Sequence, residues 1–250
     1  MRNAYNACPL THCMSIPGWR PASRVPLFLA VASVLGASPS GTDLHPVSRH
    51  QLCITNGIIS TTERGSLLID SPEMRAVVAS GPARTVQARL RYLGPAEGVK
   101  PLASGELRRQ FGFKLRAANT CNVVYVMWHI EPDSKLAVSV KSNPGMTTHA
   151  QCGARGYRNL KPSRQSAVPI LRVDEWHVLR AALTGQNLEV VVDGISVWQG
   201  SIGEEGSSFD GPVGMRSDNG RFEVELFQSA SEGKSFHPAN PCHNDPGASD

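Results

Sequence analysis

An all-β chain is predicted, an antiparallel β-sandwich, and three observations predict it. Short runs rich in Val, Leu and aromatic residues recur between residues 175 and 227. Turn residues separate those runs at Thr184-Gly185-Gln186-Asn187, Asp193-Gly194 and Asp218-Asn219-Gly220, which is the punctuation of antiparallel hairpins. Further upstream, residues 84–92 and 106–141 alternate apolar and polar side chains with the period of two that a half-buried strand requires.

The first 40 residues read as a secretory signal peptide and linker. Arg20 and Arg24 precede an apolar run, residues 26–37, and small residues follow at Ala37, Ser38 and Ser40; the run is too short for a permanent membrane span. Translation starting at Met14 in place of Met1 would leave a leader of ordinary length. Residues 41–230 are assigned to the β-domain and 231–250 to an extended C-terminal tail. Residues 70–83 give mixed signals, and Ser71-Pro72-Glu73-Met74 reads as the start of a helical turn, with Pro at its first position. Residues 84–92 form a strand with Val86, Ala88, Leu90 and Tyr92 on one side. In the next strand, residues 106–117, Phe111, Phe113 and Leu115 share a face opposite Gln110, Gly112, Lys114 and Arg116. Residues 121–131 set Val124, Val126, Trp128 and Ile130 against Val123, Tyr125, Met127, His129 and Glu131. Residues 135–141 turn Leu136, Val138 and Val140 inward and Lys135, Ser139 and Lys141 outward. Residues 142–173 show too little periodicity to assign and form a long connection.

The closing stretch carries a family resemblance. The succession Glu175-Trp176-His177-Val178-Leu179-Arg180, Leu188-Glu189-Val190-Val191-Val192-Asp193-Gly194, Val197-Trp198 and residues 211–223 (GPVGMRSDNGRFE) resembles the final strands of concanavalin A-like lectin/glucanase domains, which include laminin-G-like modules. The resemblance covers residues 174–227 and implies a jelly roll of two packed sheets, a fold that hosts lectins, hydrolases and lyases alike. It also implies that Trp198, like Trp128, lies in the core. Loss of the leader would remove Cys8 and Cys13 and leave Cys53, Cys121, Cys152 and Cys242, two disulfides in an oxidising compartment. Four cysteines allow three pairings. Cys53–Cys242 is preferred because first and last strands commonly meet in a jelly roll, and Cys121–Cys152 because it would staple a long loop to a central strand. The absence of CxxC pairs argues against structural zinc.

Function is argued from the polar face of the three alternating strands. Gln110, Lys114, Arg116, Tyr125, His129, Glu131 and Lys141, joined by His149, Tyr157 and Arg158 from the long connection, suit a concave groove for an acidic polysaccharide. Lys and Arg pair with uronate or sulfate groups, and Tyr stacks on a sugar ring. The same residues are also what the solvent face of any antiparallel sheet presents. The alternative is an enzyme, a polysaccharide lyase ahead of a glycosidase. Met127-Trp128-His129 resembles the Gln-x-His strand of alginate-lyase-like enzymes, with His129 or Tyr157 as acid or base and Arg116 or Arg109 as neutraliser. Met127 replaces the amide of that motif. A paired-carboxylate glycosidase lacks its motif, since Glu223 and Glu225 sit among apolar neighbours of the last strand. Asp210, Asp218 and Asn219 suit calcium, but turn formation explains the last two, so no metal and no cofactor are assigned. The third reading is an adhesion module with a protein partner. With 25 Lys and Arg against 21 Asp and Glu, scattered through the chain, the charge of +4 gives no basic patch for nucleic acid. The expectation is a secreted monomeric carbohydrate-binding module.

Overall fold

Successive side chains of a strand point to opposite faces, so an alternating strand belongs to a sheet with one buried face. The computed structural model describes residues 43–231 and follows that rule. The first half of the described chain contributes β1 (Leu44–Val47), β2 (Leu52–Asn56), β3 (Ile59–Thr61), β4 (Leu67–Ile69), β5 (Glu73–Val78), β6 (Thr85–Pro95), β7 (Arg109–Leu115), β8 (Val123–Glu131) and β9 (Lys135–Lys141). After them come α1 (His149–Cys152), β10 (Tyr157–Asn159), β11 (Arg164–Gln165), β12 (Trp176–Thr184), β13 (Asn187–Val192), β14 (Ile195–Ser201), α2 (Gly203–Ser207), β15 (Gly214–Asp218) and β16 (Gly220–Ser229). One sheet has seven strands in the order β10-β9-β8-β7-β15-β5-β2. The other has nine, in the order β11-β14-β13-β12-β6-β16-β4-β3 with β1 on β16.

The apolar faces predicted for the alternating strands are the faces that meet. Phe111, Phe113, Leu115, Val124, Val126, Trp128, Leu136, Val138 and Val140 of the seven-stranded sheet share one core with Val86, Ala88, Leu90, Tyr92, Leu179, Phe222 and Val224 of the other. Phe222 joins the layers, its ring centroid 5.2 Å from Phe111 and 5.5 Å from Tyr92. Each such ring contributes on the order of 2 kcal/mol by leaving water. Trp128 and Trp198 are both in the core, as expected. The fold is therefore the antiparallel β-sandwich that the resemblance implies.

Local chemistry sets the turns. Asp193 and Gly194 both take positive φ, 50° and 81°, the two-residue hairpin geometry that Asp-Gly favours. Asp193 also caps the neighbouring strand, its Oδ1 accepting from Val178 N at 2.8 Å and its Oδ2 lying 2.7 Å from His177 Nδ1. Gly112 is required by close approach, because a Cβ there would lie 2.0 Å from the Val126 carbonyl oxygen.

Two expectations are corrected. Residues 71–74 begin no helical turn; Ser71 Oγ donates to the Glu73 carbonyl, and β5 starts there as an interior strand between β15 and β2, buried throughout. Burial on both faces removes the alternation that would have marked it as a strand. Residues 142–173 are not one irregular connection. They hold α1, whose Thr148 and Gln151 form a reciprocal capping box, and the short strands β10 and β11. Cys121 and Cys152 are disulfide-bonded as preferred. Cys53 is also disulfide-bonded; Cys242, its expected partner, lies outside the described residues, as do the expected leader and nearly all of the tail. No helix among the described residues is long and apolar enough to cross a membrane.

Candidate functional site

Cross-strand partners point to the same side of a sheet, so the register spells out the outer face of the seven-stranded sheet. One row runs Glu73, Asp218, Gln110, His129, Lys135. The next runs Arg75, Arg216, Gly112, Met127, Ala137, and the third Val77, Gly214, Lys114, Tyr125, Ser139. A last group, Val123, Lys141 and Tyr157, closes the far end. Five predicted site residues, Gln110, Lys114, Tyr125, His129 and Lys141, are thus brought together, and Tyr157 joins them through β10.

The middle of this face is built on Asp218. Arg75 Nη2 donates to its Oδ1 at 2.7 Å, and Arg216 Nε and Gln110 Nε2 donate to its Oδ2 at 2.9 and 2.5 Å. Burial alone would raise the Asp218 pKa, but the two guanidiniums and the hydrogen bonds outweigh it and hold the carboxyl at about 2. Arg75 also donates to the carbonyls of Met74 and Ser217. One carboxylate therefore orients two guanidiniums side by side, and Lys114 and Lys141 add positive charge along the same face. Glu73, at its margin, pairs with Lys100 at 3.3 Å.

An aromatic pair lies beside the cations. Tyr125 and Tyr157 stack with centroids 5.9 Å apart and planes inclined by 23°. The Arg216 guanidinium lies 5.1 Å from the Tyr125 ring centroid, and Lys141 Nζ lies 5.1 Å from that of Tyr157. Arg216 Nη1 also reaches the Tyr157 hydroxyl at 3.5 Å. Tyr125 is buried, whereas Tyr157 is 40 % exposed.

His129 sits at the opposite end. Burial, then the positive charges of Arg108 and Lys135, lower its pKa to about 4; Arg108 Nη1 is 3.4 Å from its Nε2. His129 pairs with Lys135 and Tyr157 with Lys141, so six strand positions, roughly 20 Å, separate the two residues considered for lyase chemistry. They do not act on one sugar ring together.

Four predicted residues lie elsewhere. Arg116, at positive φ just past β7, donates from Nε to the Phe209 carbonyl at 2.7 Å and reaches Ser207 O; it pins the loop before β15. Glu131 ends β8 in an ion pair with Arg109. His149 opens α1. Arg158 points away from Tyr157 and pairs with Glu205 of α2 at 2.7 Å. Among the calcium candidates, Asp218 holds Arg75 and Arg216, Asp210 holds Arg84 at 3.0 Å, and Asn219 ties the 95–108 loop through Lys100 and Arg108. Glu223 and Glu225 lie on the nine-stranded sheet, paired with Arg91 and Arg89. Sequence reasoning missed Arg75 and Arg216 and weighed Asp218 only as a calcium ligand or a turn residue, not as the carboxylate that holds them. Met215 between Gly214 and Arg216 carried the alternation that places Arg216 outward, whereas the uniformly buried β5 gave no such signal for Arg75.

The fold and this face define a β-sandwich whose seven-stranded sheet carries polar, cationic and aromatic side chains on its outer side, Tyr157 exposed and Tyr125, Arg75, Arg216, Lys114 and Lys141 buried. No protein-family model matches the chain, and neither does any curated protein. Among solved structures, the chain is similar to the carbohydrate binding module CBM66 from Bacillus subtilis, with 12% identity over 70% of this chain and 91% of that one, at a TM-score of 0.49. It is also similar to the carbohydrate recognition domain of Emp46p, with 11% identity over 73% and 89% and a TM-score of 0.47. A third is domain 4 of AbnA, an extracellular arabinanase from Geobacillus stearothermophilus, with 10% identity over 78% and 87% and a TM-score of 0.39. Likeness at this level carries over neither a ligand nor a reaction.

Proposed function

We propose that the protein is a carbohydrate-binding module that takes an acidic polysaccharide along the outer face of its seven-stranded sheet. The observation that carries this reading is the stacked pair Tyr125–Tyr157 with Arg216 and Lys141 at the rings. A sugar presents an apolar C–H face to an aromatic ring and, when it is a uronate or a sulfate ester, an anion at its edge. Guanidinium beside ring matches both at the spacing of one sugar, and Lys114 continues the positive charge toward the next. Asp218 is spent on orienting Arg75 and Arg216 and does not oppose the anion. In this reading the chain is exported by its first 40 residues and acts as a monomer; N-terminal sequencing of the exported protein tests the first point and sedimentation the second.

The test is electrophoresis of the full chain through gels cast with neutral, uronic and sulfated polysaccharides. Retardation is expected in an acidic polymer. Tyr157→Ala and Lys141→Ala should each remove it while the far-ultraviolet dichroism stays that of the parent. Unchanged retardation in both variants would sink the assignment to this face.

A further inference from the structure

We propose that the outer face of the nine-stranded sheet carries a second site, built around Trp176, Arg91 and Glu223, that takes a neutral oligosaccharide. It stands apart from the acidic-glycan reading, on the opposite sheet. The register lays out the surface. One row runs Trp176, Arg91, Glu223, Leu68, Ser60 across β12, β6, β16, β4 and β3, and the next sets Val178, Arg89 and Glu225 beside it. These side chains point away from the core, and those of Arg89 and Glu225 are 42 % and 38 % exposed. Past Glu223 lies a cavity of about 430 Å³, lined by Thr62, Glu63, Arg64, Arg91 and Glu223, a size that suits a small ligand. Its wall is the β3–β4 turn, closed by Thr62 N to the Ser66 carbonyl and Gly65 N to the Thr62 carbonyl, both at 2.9 Å.

Charge and hydrogen bonding select the ligand. The cavity sets two guanidiniums, Arg64 and Arg91, against two carboxylates, Glu63 and Glu223, and Arg89 is matched by Glu225. An ion of either sign would meet its own charge there. A hydroxyl, which donates and accepts, is satisfied between N–H and carboxylate, and adjacent hydroxyls fit the forked geometry of both groups. The acceptors are fixed in advance. Ser66 Oγ donates to Glu223 Oε1 at 2.6 Å, so its one hydrogen is taken and Thr62 Oγ1, 2.6 Å away, donates to it, leaving the Thr62 lone pairs for a ligand. That Ser66 bond first, and then Arg91, keep the Glu223 carboxyl below its ordinary range, so it stays an ionised acceptor. Trp176 supplies the apolar surface that the C–H face of a sugar needs. The Arg89 and Arg91 guanidiniums, 3.9 and 5.1 Å from its ring centroid, hold the ring in place. Two strand spacings, about 10 Å, separate Trp176 from Glu223. The ligand is therefore an oligosaccharide, with one unit at the ring and another in the cavity.

The test is titration of the full chain with neutral trisaccharides of glucose, mannose, galactose and xylose, followed by tryptophan fluorescence and by calorimetry. At least one should bind and shift the fluorescence, which Trp128 and Trp198 in the core are placed too deep to report. Its affinity should stay within about twofold as sodium chloride rises from about 0.1 to 1 M, because no net charge is neutralised. Trp176→Ala should abolish the fluorescence shift and weaken binding at least about tenfold, the loss of one ring contact. Tyr157→Ala, on the other sheet, should change neither. Should Trp176→Ala disturb the far-ultraviolet dichroism, Glu63→Gln with Arg64→Gln, both exposed on the β3–β4 turn, takes its place and should weaken binding likewise. No binding of any trisaccharide, binding that Tyr157→Ala removes, or binding that survives both the Trp176 and the turn variants would overturn the inference. Neutral binding without retardation by acidic polymers would uphold this site and sink the acidic-glycan reading; retardation without neutral binding would do the reverse.

Discussion

Asp218 and His129 occupy the same row of the sheet and respond to acid in separate windows. The folded His129 holds a proton only near pH 4, below its ordinary 6.5, because burial and then Arg108 and Lys135 oppose the charge. The unfolded chain takes up that proton first, so stability falls as pH drops from 6.5 toward 4, by up to roughly 3 kcal/mol. Asp218 has the opposite dependence on charge. Its folded pKa is about 2 against an ordinary 3.8, so its contribution is present above pH 4 and is lost between about 4 and 2, roughly 2 kcal/mol. Urea midpoints measured across pH should therefore decline in two steps. His129→Gln should flatten the first step alone. Asp218→Asn should remove the second and lower stability at neutral pH by about 3 to 5 kcal/mol, since Arg75 and Arg216 are left buried without their carboxylate. A single step abolished by either variant would show the two groups to be one coupled unit.

At the scale of elements, the site depends on a strand of three residues. Among the described strands β10 pairs with β9 at the end of the sheet, yet it carries the exposed ring of the aromatic pair. The disulfide between Cys121 and Cys152, 31 residues apart in sequence, anchors the connection that leads into it. Closing a loop of that length is worth roughly 3 to 4 kcal/mol. Replacing both cysteines by Ser should lower stability by about that amount, and hydrogen exchange at Tyr157, Arg158 and Asn159 should quicken before exchange in β8 does. Equal quickening in both would show that the crosslink steadies the sheet as a whole. The same elements show where the sequence was legible. In β7, β8 and β9 alternation was regular enough to place every core side chain and to group Gln110, Lys114, Tyr125, His129 and Lys141 on one face. β5 was hidden because both of its faces are covered, and with it Arg75. Arg116 was misplaced by extending the alternation one residue past Leu115, where the backbone turns to positive φ. Arg158 was grouped with Tyr157, its neighbour in sequence, although neighbours in a strand face opposite ways.

At the scale of the whole molecule, two outer faces separate two uses of charge. On the nine-stranded sheet Arg89 and Arg91 face Glu225 and Glu223 and lie over Trp176, 3.9 and 5.1 Å from its ring centroid, so cations there meet carboxylates one for one. On the seven-stranded sheet Arg75 and Arg216 hold Asp218 between them, and Lys114 and Lys141 lie along the same face, so an anionic polymer there would meet several cations. No run of residues betrayed this grouping, because its members come from β5, β7, β9 and β15 and meet only through the register. Its consequence is a dependence on salt. The Debye length shrinks from about 10 Å at 0.1 M to about 3 Å at 1 M ionic strength, so attraction reaching from one sugar anion to several cations should fade over that range while ring stacking persists. Retardation of the full chain by a uronic or sulfated polysaccharide should therefore weaken steeply with added sodium chloride. Lys114→Gln should make that decline shallower, and Arg89→Gln on the other sheet should leave it unchanged. A decline that follows Arg89 and ignores Lys114 would move the binding surface to the nine-stranded sheet.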